Sequence, residues 1–176
     1  AQVDDKLEEL LDKQASAPDG VVHLNADDFN RLFVGKSRGY NVILFLWASH
    51  LMDKATIQLP KLRKEFGLLS KAYREEMKKT GQEGKIFFAD IEFQESQEVF
   101  HRLGVQALPF VFRLPTSAIK RDGRIALNDN DKMTPDSFPN YPWSAEDMGS
   151  FTAERTGLPT PTIDRPSFAK SPLFPL

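Results

Sequence analysis

The chain has 176 residues, 40% hydrophobic and 27% charged, enough for one globular domain with extensions. Twenty-five acidic against 23 basic side chains leave a net charge of −2, which supplies no basic field and excludes nucleic acid as an expected partner. Cysteine is absent, which removes dithiol chemistry, disulfides and thiolate metal sites from these residues, and no run of ~18 apolar residues offers a membrane span.

The start, Ala1-Gln-Val-Asp-Asp5, is already polar, so the chain either has no leader or begins after its removal. Leu7, Leu10, Leu11 and Ala15 recur at helical spacing among charges and predict a helix over 4–15, ended by Pro18-Asp-Gly20. Val21–Leu24 predicts a short strand. Asn25 has the chemistry to cap a helix over 26–34 that presents Phe29, Leu32 and Phe33, with Gly35 as its stop. Asn41–Trp47 is the most apolar run, and its lack of alternation predicts a central strand buried on both faces. A loop over 48–56 leads into a long helix reaching Lys79. Leu62, Phe66, Leu69, Tyr73 and Met77 mark its apolar face, and Pro60 its first turn. Residues 85–90 predict another buried strand, 96–103 a short helix, and 110–114 a further strand entered through Pro109. From 117 to 141 the signal is weak, with a turn at 121–124 and an edge strand over Ile125–Leu127. Ser144 caps a last helix, 145–156, stopped by Gly157; Pro159, Pro161, Pro166, Pro172 and Pro175 then predict an extended tether.

This order predicts a mixed α/β sheet, a parallel βαβ unit followed by an antiparallel hairpin, with helices on both faces. The junction Gly104-Val-Gln-Ala-Leu-Pro-Phe110 resembles the Gly-Val-x-x-x-Pro-Thr junction of thioredoxin-like folds, whose cis-proline borders the active-site groove; Phe110 stands where Thr is usual. The implied organisation is an N-terminal helical extension (1–19), a thioredoxin-like domain (20–157) and a Pro-rich linker (158–176). In that fold the redox Cys-x-x-Cys would fall within 49–59, where Leu51/Lys54 or Ala55/Gln58 occupy the cysteine places, and neither pair can attack a disulfide.

Ser49, His50 and Asp53 lie close in sequence, but three residue types do not make a triad, and no catalytic residue is assigned. His23 and His101 read as surface or satisfied residues, since no carboxylate cluster at metal spacing accompanies them. The acidic run 90–95 reads as a solvated turn ahead of a helix, and Asn128–Asp131 lacks the Gly and Glu of a calcium loop. No metal or cofactor is expected. What remains is a groove in which an extended peptide pairs with the backbone beside Pro109. Leu108, Pro109 and Phe110 would form one wall, and Trp47, Ser49, His50, Leu51 and Met52 the other, unless Trp47 and Met52 are core. Phe138–Trp143 either lines that groove or packs the last helix.

Phe87-Phe-Ala-Asp-Ile-Glu-Phe-Gln-Glu-Ser-Gln-Glu-Val-Phe100, Gly104–Pro109 and Ser150-Phe-Thr-Ala-Glu-Arg-Thr-Gly157 with its Pro-rich exit resemble the luminal domain of the oligosaccharyltransferase accessory subunits (the gamma, or magnesium-transporter and tumour-suppressor-candidate, family). The likeness runs from about Leu24 to Pro166. It implies a domain of the endoplasmic-reticulum lumen, tethered by membrane helices outside this chain. Nascent polypeptide, other transferase subunits and the translocon are the implied partners. Members with Cys-x-x-Cys are thought to hold nascent chains by mixed disulfides. Here, as in some members, the motif is missing. The resemblance then implies a redox-inactive, non-enzymatic domain that assists N-glycosylation by non-covalent contact. A purely structural docking module and a chaperone-type thioredoxin domain are the alternatives; an open groove favours contact, a filled one docking.

Overall fold

A computed structural model describes residues 2–165; the linker beyond them lies outside the described residues. The elements are α1 (Gln2–Ser16), β1 (Val21–His23), α2 (Ala26–Phe33), β2 (Asn41–Trp47), α3 (Leu59–Lys79), β3 (Ile86–Glu92), α4 (Gln97–Leu103), β4 (Phe110–Leu114), β5 (Lys132–Met133) and α5 (Ala145–Thr156). One sheet joins the strands in the order β1-β3-β2-β4-β5, with β1 and β2 parallel to β3, and β4 antiparallel to both β2 and β5. That is the thioredoxin-like sheet the sequence predicts.

The continuous apolar run of β2 is explained by burial on both faces. Val42, Leu44 and Leu46 point into a core shared with Leu10, Phe29, Phe33 and Phe100, and Ile43 and Phe45 into a second core with Phe66, Tyr73, Trp143 and Phe151. In that second core Phe66 stacks on Phe45 at 5.2 Å and meets Phe88 edge-on at 5.6 Å.

Helix ends follow local chemistry. Asn25 accepts from Asp28 N at 2.9 Å while Asp28 accepts from Asn25 N at 3.2 Å, a reciprocal cap that satisfies two orphan donors of α2. Ser144 and Asp147 repeat it on α5 at 3.0 and 3.2 Å, and Gly157 ends that helix at φ +75°. Pro60 is the second residue of α3, where its missing N–H costs nothing. Gly35 does follow α2, but at φ +120° it pairs with Ile119 instead of closing a left-handed cap.

Two expectations change and one open alternative is decided. Ile125–Leu127 is not a strand; Ile125 N donates to Arg102 O at 2.8 Å, and the edge strand is the two-residue β5. β3 extends past Asp90 to Glu92, so the two acids are buried strand residues (5% and 8% exposed), not members of a solvated turn. The aromatic cluster packs the last helix: Trp143 is fully buried, Tyr141 meets it edge-on at 5.1 Å, and Phe138 meets Phe151 at 6.0 Å. After α5 the chain runs back over the helices, with Leu158 and Ile163 against the second core. Arg165 then bonds Glu65 of α3 and Glu146 of α5 at 3.0 Å each, which holds both carboxyls below their ordinary range.

Candidate functional site

The register Leu46↔Phe110 brings the C-terminal end of β2 and the N-terminal end of β4 to one end of the sheet. Trp47, Ser49, His50, Leu51 and Met52 leave β2 there, and Leu108 and Pro109 lead into β4. Ser49–Leu51 is a single 3-10 turn, closed by Leu51 N donating to Ala48 O at 3.0 Å. Trp47 and Leu51 are half-buried against the α3–α5 core, while Leu108 is half-buried against the opposite one. Met52 is 39% exposed, the large apolar side chain left open among the described residues. Pro109 is buried, and Phe110, 6% exposed with its ring edge-on to Phe112, is a core residue that offers a ligand only its backbone. The Leu108–Pro109 peptide is cis, as is Tyr141–Pro142. Among the described residues no backbone hydrogen bond reaches Leu108, and β5 pairs only with Val111 and Phe112 of β4.

Beneath the turn lies a polar network that sequence reasoning missed. His23, Asp90 and Trp47 come together because His23 and Asp90 are register partners and Asp90 also faces β2. Asp90 Oδ2 accepts from Trp47 Nε1 at 2.7 Å and from His23 Nδ1 at 2.9 Å, and His23 Nε2 lies 2.9 Å from Glu95 Oε1. The hydrogen bond to Asp90 outweighs partial burial and, with the Glu95 charge, pushes His23 up to about 9. Both ring nitrogens therefore donate at neutral pH. Glu92 takes Ser49 N at 2.9 Å, Ser49 Oγ at 3.1 Å and Glu95 N at 2.9 Å. Burial opposes its charge, yet these N–H groups together hold the carboxyl below its ordinary range. The signal available in the sequence was the apolar continuity Ile86–Ile91, which carries Asp90 into the strand.

A carboxylate stabilised in this way is a poor base, so Ser49 is a turn fastened to β3 and not an activated nucleophile. His50 and Asp53 are exposed and make no hydrogen bond with Ser49. Asp129 and Asp131 are met by Lys132 at 2.9 Å and Arg113 at 3.5 Å. No group of three metal-ligating side chains gathers among the described residues, and no described helix is long and apolar enough to cross a membrane. The arrangement offers an orienting scaffold and a small amphipathic rim.

The chain is similar to the probable dolichyl-diphosphooligosaccharide–protein glycosyltransferase subunit 3 of Oryza sativa subsp. japonica, 34% identical over 167 residues, covering 94% of this chain and 46% of that protein. It is also similar to the glycosyltransferase subunit MAGT1 of Homo sapiens, 26% identical over 165 residues, covering 94% and 44%. Among solved structures, thioredoxin F from spinach chloroplast aligns with 86% of this chain and 93% of its own at 15% identity and a TM-score of 0.48. The chain thus spans less than half the length of these curated relatives. Residues 8–175 match the model described as the OST3 / OST6 family, transporter family, and the chain belongs to that family.

Proposed function

We propose that this chain is the luminal thioredoxin-like domain of an oligosaccharyltransferase subunit, assisting protein N-glycosylation by holding nascent polypeptide without a covalent bond. Support for the assembly comes from the relatives, whose names make them subunits of a glycosyltransferase. Its role there is accessory, with no catalysis of its own. The domain would occupy 20–157, preceded by a helical extension (1–19) and followed by a linker (158–176) towards a membrane segment outside these residues. Endoplasmic-reticulum lumen, other transferase subunits and the translocon follow as setting and partners.

The observation that carries peptide contact is the unoccupied backbone of Leu108 beside half-buried Trp47 and Leu51 and exposed Met52. An extended segment can add there as a short strand, with soft side chains on its flank. Without any cysteine, a mixed disulfide with a substrate is not open to this chain. Such a contact buries far less than the ~1,000 Å² of a stable interface, so affinity near 1 mM is expected, about −4 kcal/mol. A two-dimensional NMR titration with unfolded acceptor peptides tests it. Amide shifts gathering at 47–52 and 108–110, reduced by Met52→Ala, support the reading; no shift at about 1 mM peptide sinks it. The burial of Pro109 and Phe110 favours a second reading, a docking module between subunits, which that second outcome would leave standing.

A further inference from the structure

The net charge of −2 conceals an uneven distribution. At the end of β2 away from the groove, the α2–β2 connection borders a cavity of about 350 Å³. Phe33 and Tyr40 supply part of its wall, and Lys6, Lys36, Arg38 and Arg121 bring four cations to it, with no carboxylate among the described residues that line it. These cations come from three separate segments. The connection itself is fixed, since Gly35 and Ile119 exchange both N–H···O bonds at 2.8 Å and Arg38 N donates to Thr116 O at 2.7 Å.

Arg38 is the unusual member. It is 9% exposed, yet its guanidinium meets only the carbonyls of Phe33, at 2.9 Å, and Pro115, and the rings of Phe33 and Tyr40 at 5.9 and 5.8 Å. Its Nε–H finds no acceptor among the described residues. Buried guanidinium groups are normally paired, because desolvating the charge without a counter-charge is costly. The acids around the cavity do not fill that role. Glu9, close enough to act on Tyr40, is bonded by Arg31 and lies 3.9 Å from Lys13; with Asp5 and Asp27 it lines the neighbouring cleft, which Lys6 and Arg121 also border, whereas Lys36 and Arg38 line only the cavity. Arg113, whose charge also bears on Arg38, lies 3.5 Å from Asp131. The missing partner is an anion.

We propose that this cavity binds a phosphate-type oxyanion, with Arg38 as the buried contact and Lys6, Lys36 and Arg121 as the surrounding charges. A phosphate ester carries about −1.5 to −2 near pH 7 and suits several cations better than a singly charged carboxylate does. A volume of about 350 Å³ admits more than a bare anion, and the Phe33 and Tyr40 rings offer an apolar surface to whatever bears the phosphate. The source is a free phosphorylated compound or a phospholipid headgroup, two carriers of the same chemistry. This site stands apart from the peptide groove by the length of β2, roughly 20 Å, and does not depend on it.

Thermal unfolding of the 176-residue chain with inorganic phosphate and with pyrophosphate, against sodium chloride at matched ionic strength, tests the site. The expected result is a saturable rise in Tm with either phosphate, weakened about tenfold or more in apparent affinity by the double substitution Lys36→Gln, Arg121→Gln. These two side chains are exposed, so the variant folds even if Arg38→Met does not. Sedimentation with phosphatidylcholine vesicles, with and without phosphatidic acid, separates the sources: binding only when phosphatidic acid is present assigns a headgroup, and a phosphate response without vesicle binding assigns a free compound. A Tm that responds to ionic strength alone, joined to no vesicle binding, overturns the proposal. So does a response of equal size in the double variant.

Discussion

His23 shows how one side chain can set the geometry of another it does not touch. Its ring fixes Asp90, and Asp90 fixes the indole of Trp47. The folded value near 9 lies above the ordinary 6.5, so the charged ring contributes stability in full below about pH 6.5 and loses it as pH rises through 9. With about half of the ring exposed, solvent screening limits the effect to about 1 kcal/mol. Urea midpoints measured from pH 6 upwards should therefore decline across that window, and His23→Gln should flatten this part of the profile. In a Trp143→Phe background, Trp47 emission should shift over the same window. A profile unchanged by His23→Gln would dissociate the histidine from the network. The sequence places His23 and Asp90 on strands, but not side by side, because they lie 67 residues apart and pair only through the sheet register.

At the scale of elements, what could be read was what is decided locally. The apolar faces of α2, α3 and α5, and the caps at Asn25 and Ser144, depend on residues within one or two turns. Ser144→Ala removes the acceptor for Asp147 N, leaves a half-buried helix start one partner short, and should lower stability by about 1 kcal/mol in urea unfolding, while Ser144→Asp should retain most of it. By contrast β5 has two residues and no periodicity of its own; its pairing comes from Val111 and Phe112. Ile125–Leu127 has the composition of an edge strand, but Ile125 is claimed by the end of α4. Of the residues expected to line the groove, Trp47 and Leu51 rest on one core and Leu108 on the other, and the apolar character of Phe110 takes it out of reach into the core.

For the molecule as a whole, two cores share one sheet, and the strand that divides them is the natural weak point for damage. Phe66 reaches β2 through Phe45 and β3 through Phe88. Phe66→Ala should cost about 3–5 kcal/mol, a large share of the ~5–15 kcal/mol that holds such a domain folded. Circular dichroism in urea should show a lower midpoint for both helical and sheet signals together; separate transitions would mean that the two cores melt independently. The mixed α/β sheet, parallel and then antiparallel, was legible because fully apolar runs and long helical connections leave few topologies open. The cationic cavity was not, since α1, the α2–β2 connection and the segment after β4 meet only in the folded chain, and an overall charge averages such a cluster away.

Arg165 adds a mechanical consequence. One guanidinium clasps a carboxylate on each of two helices, so a pull on residues 166–176 would meet the fold first at Arg165. Tension on that segment enters the α3–α5 layer and would first peel Leu158–Arg165 away, zipper fashion, before any strand felt the load. The sheet is thereby insulated from a load applied beyond Arg165.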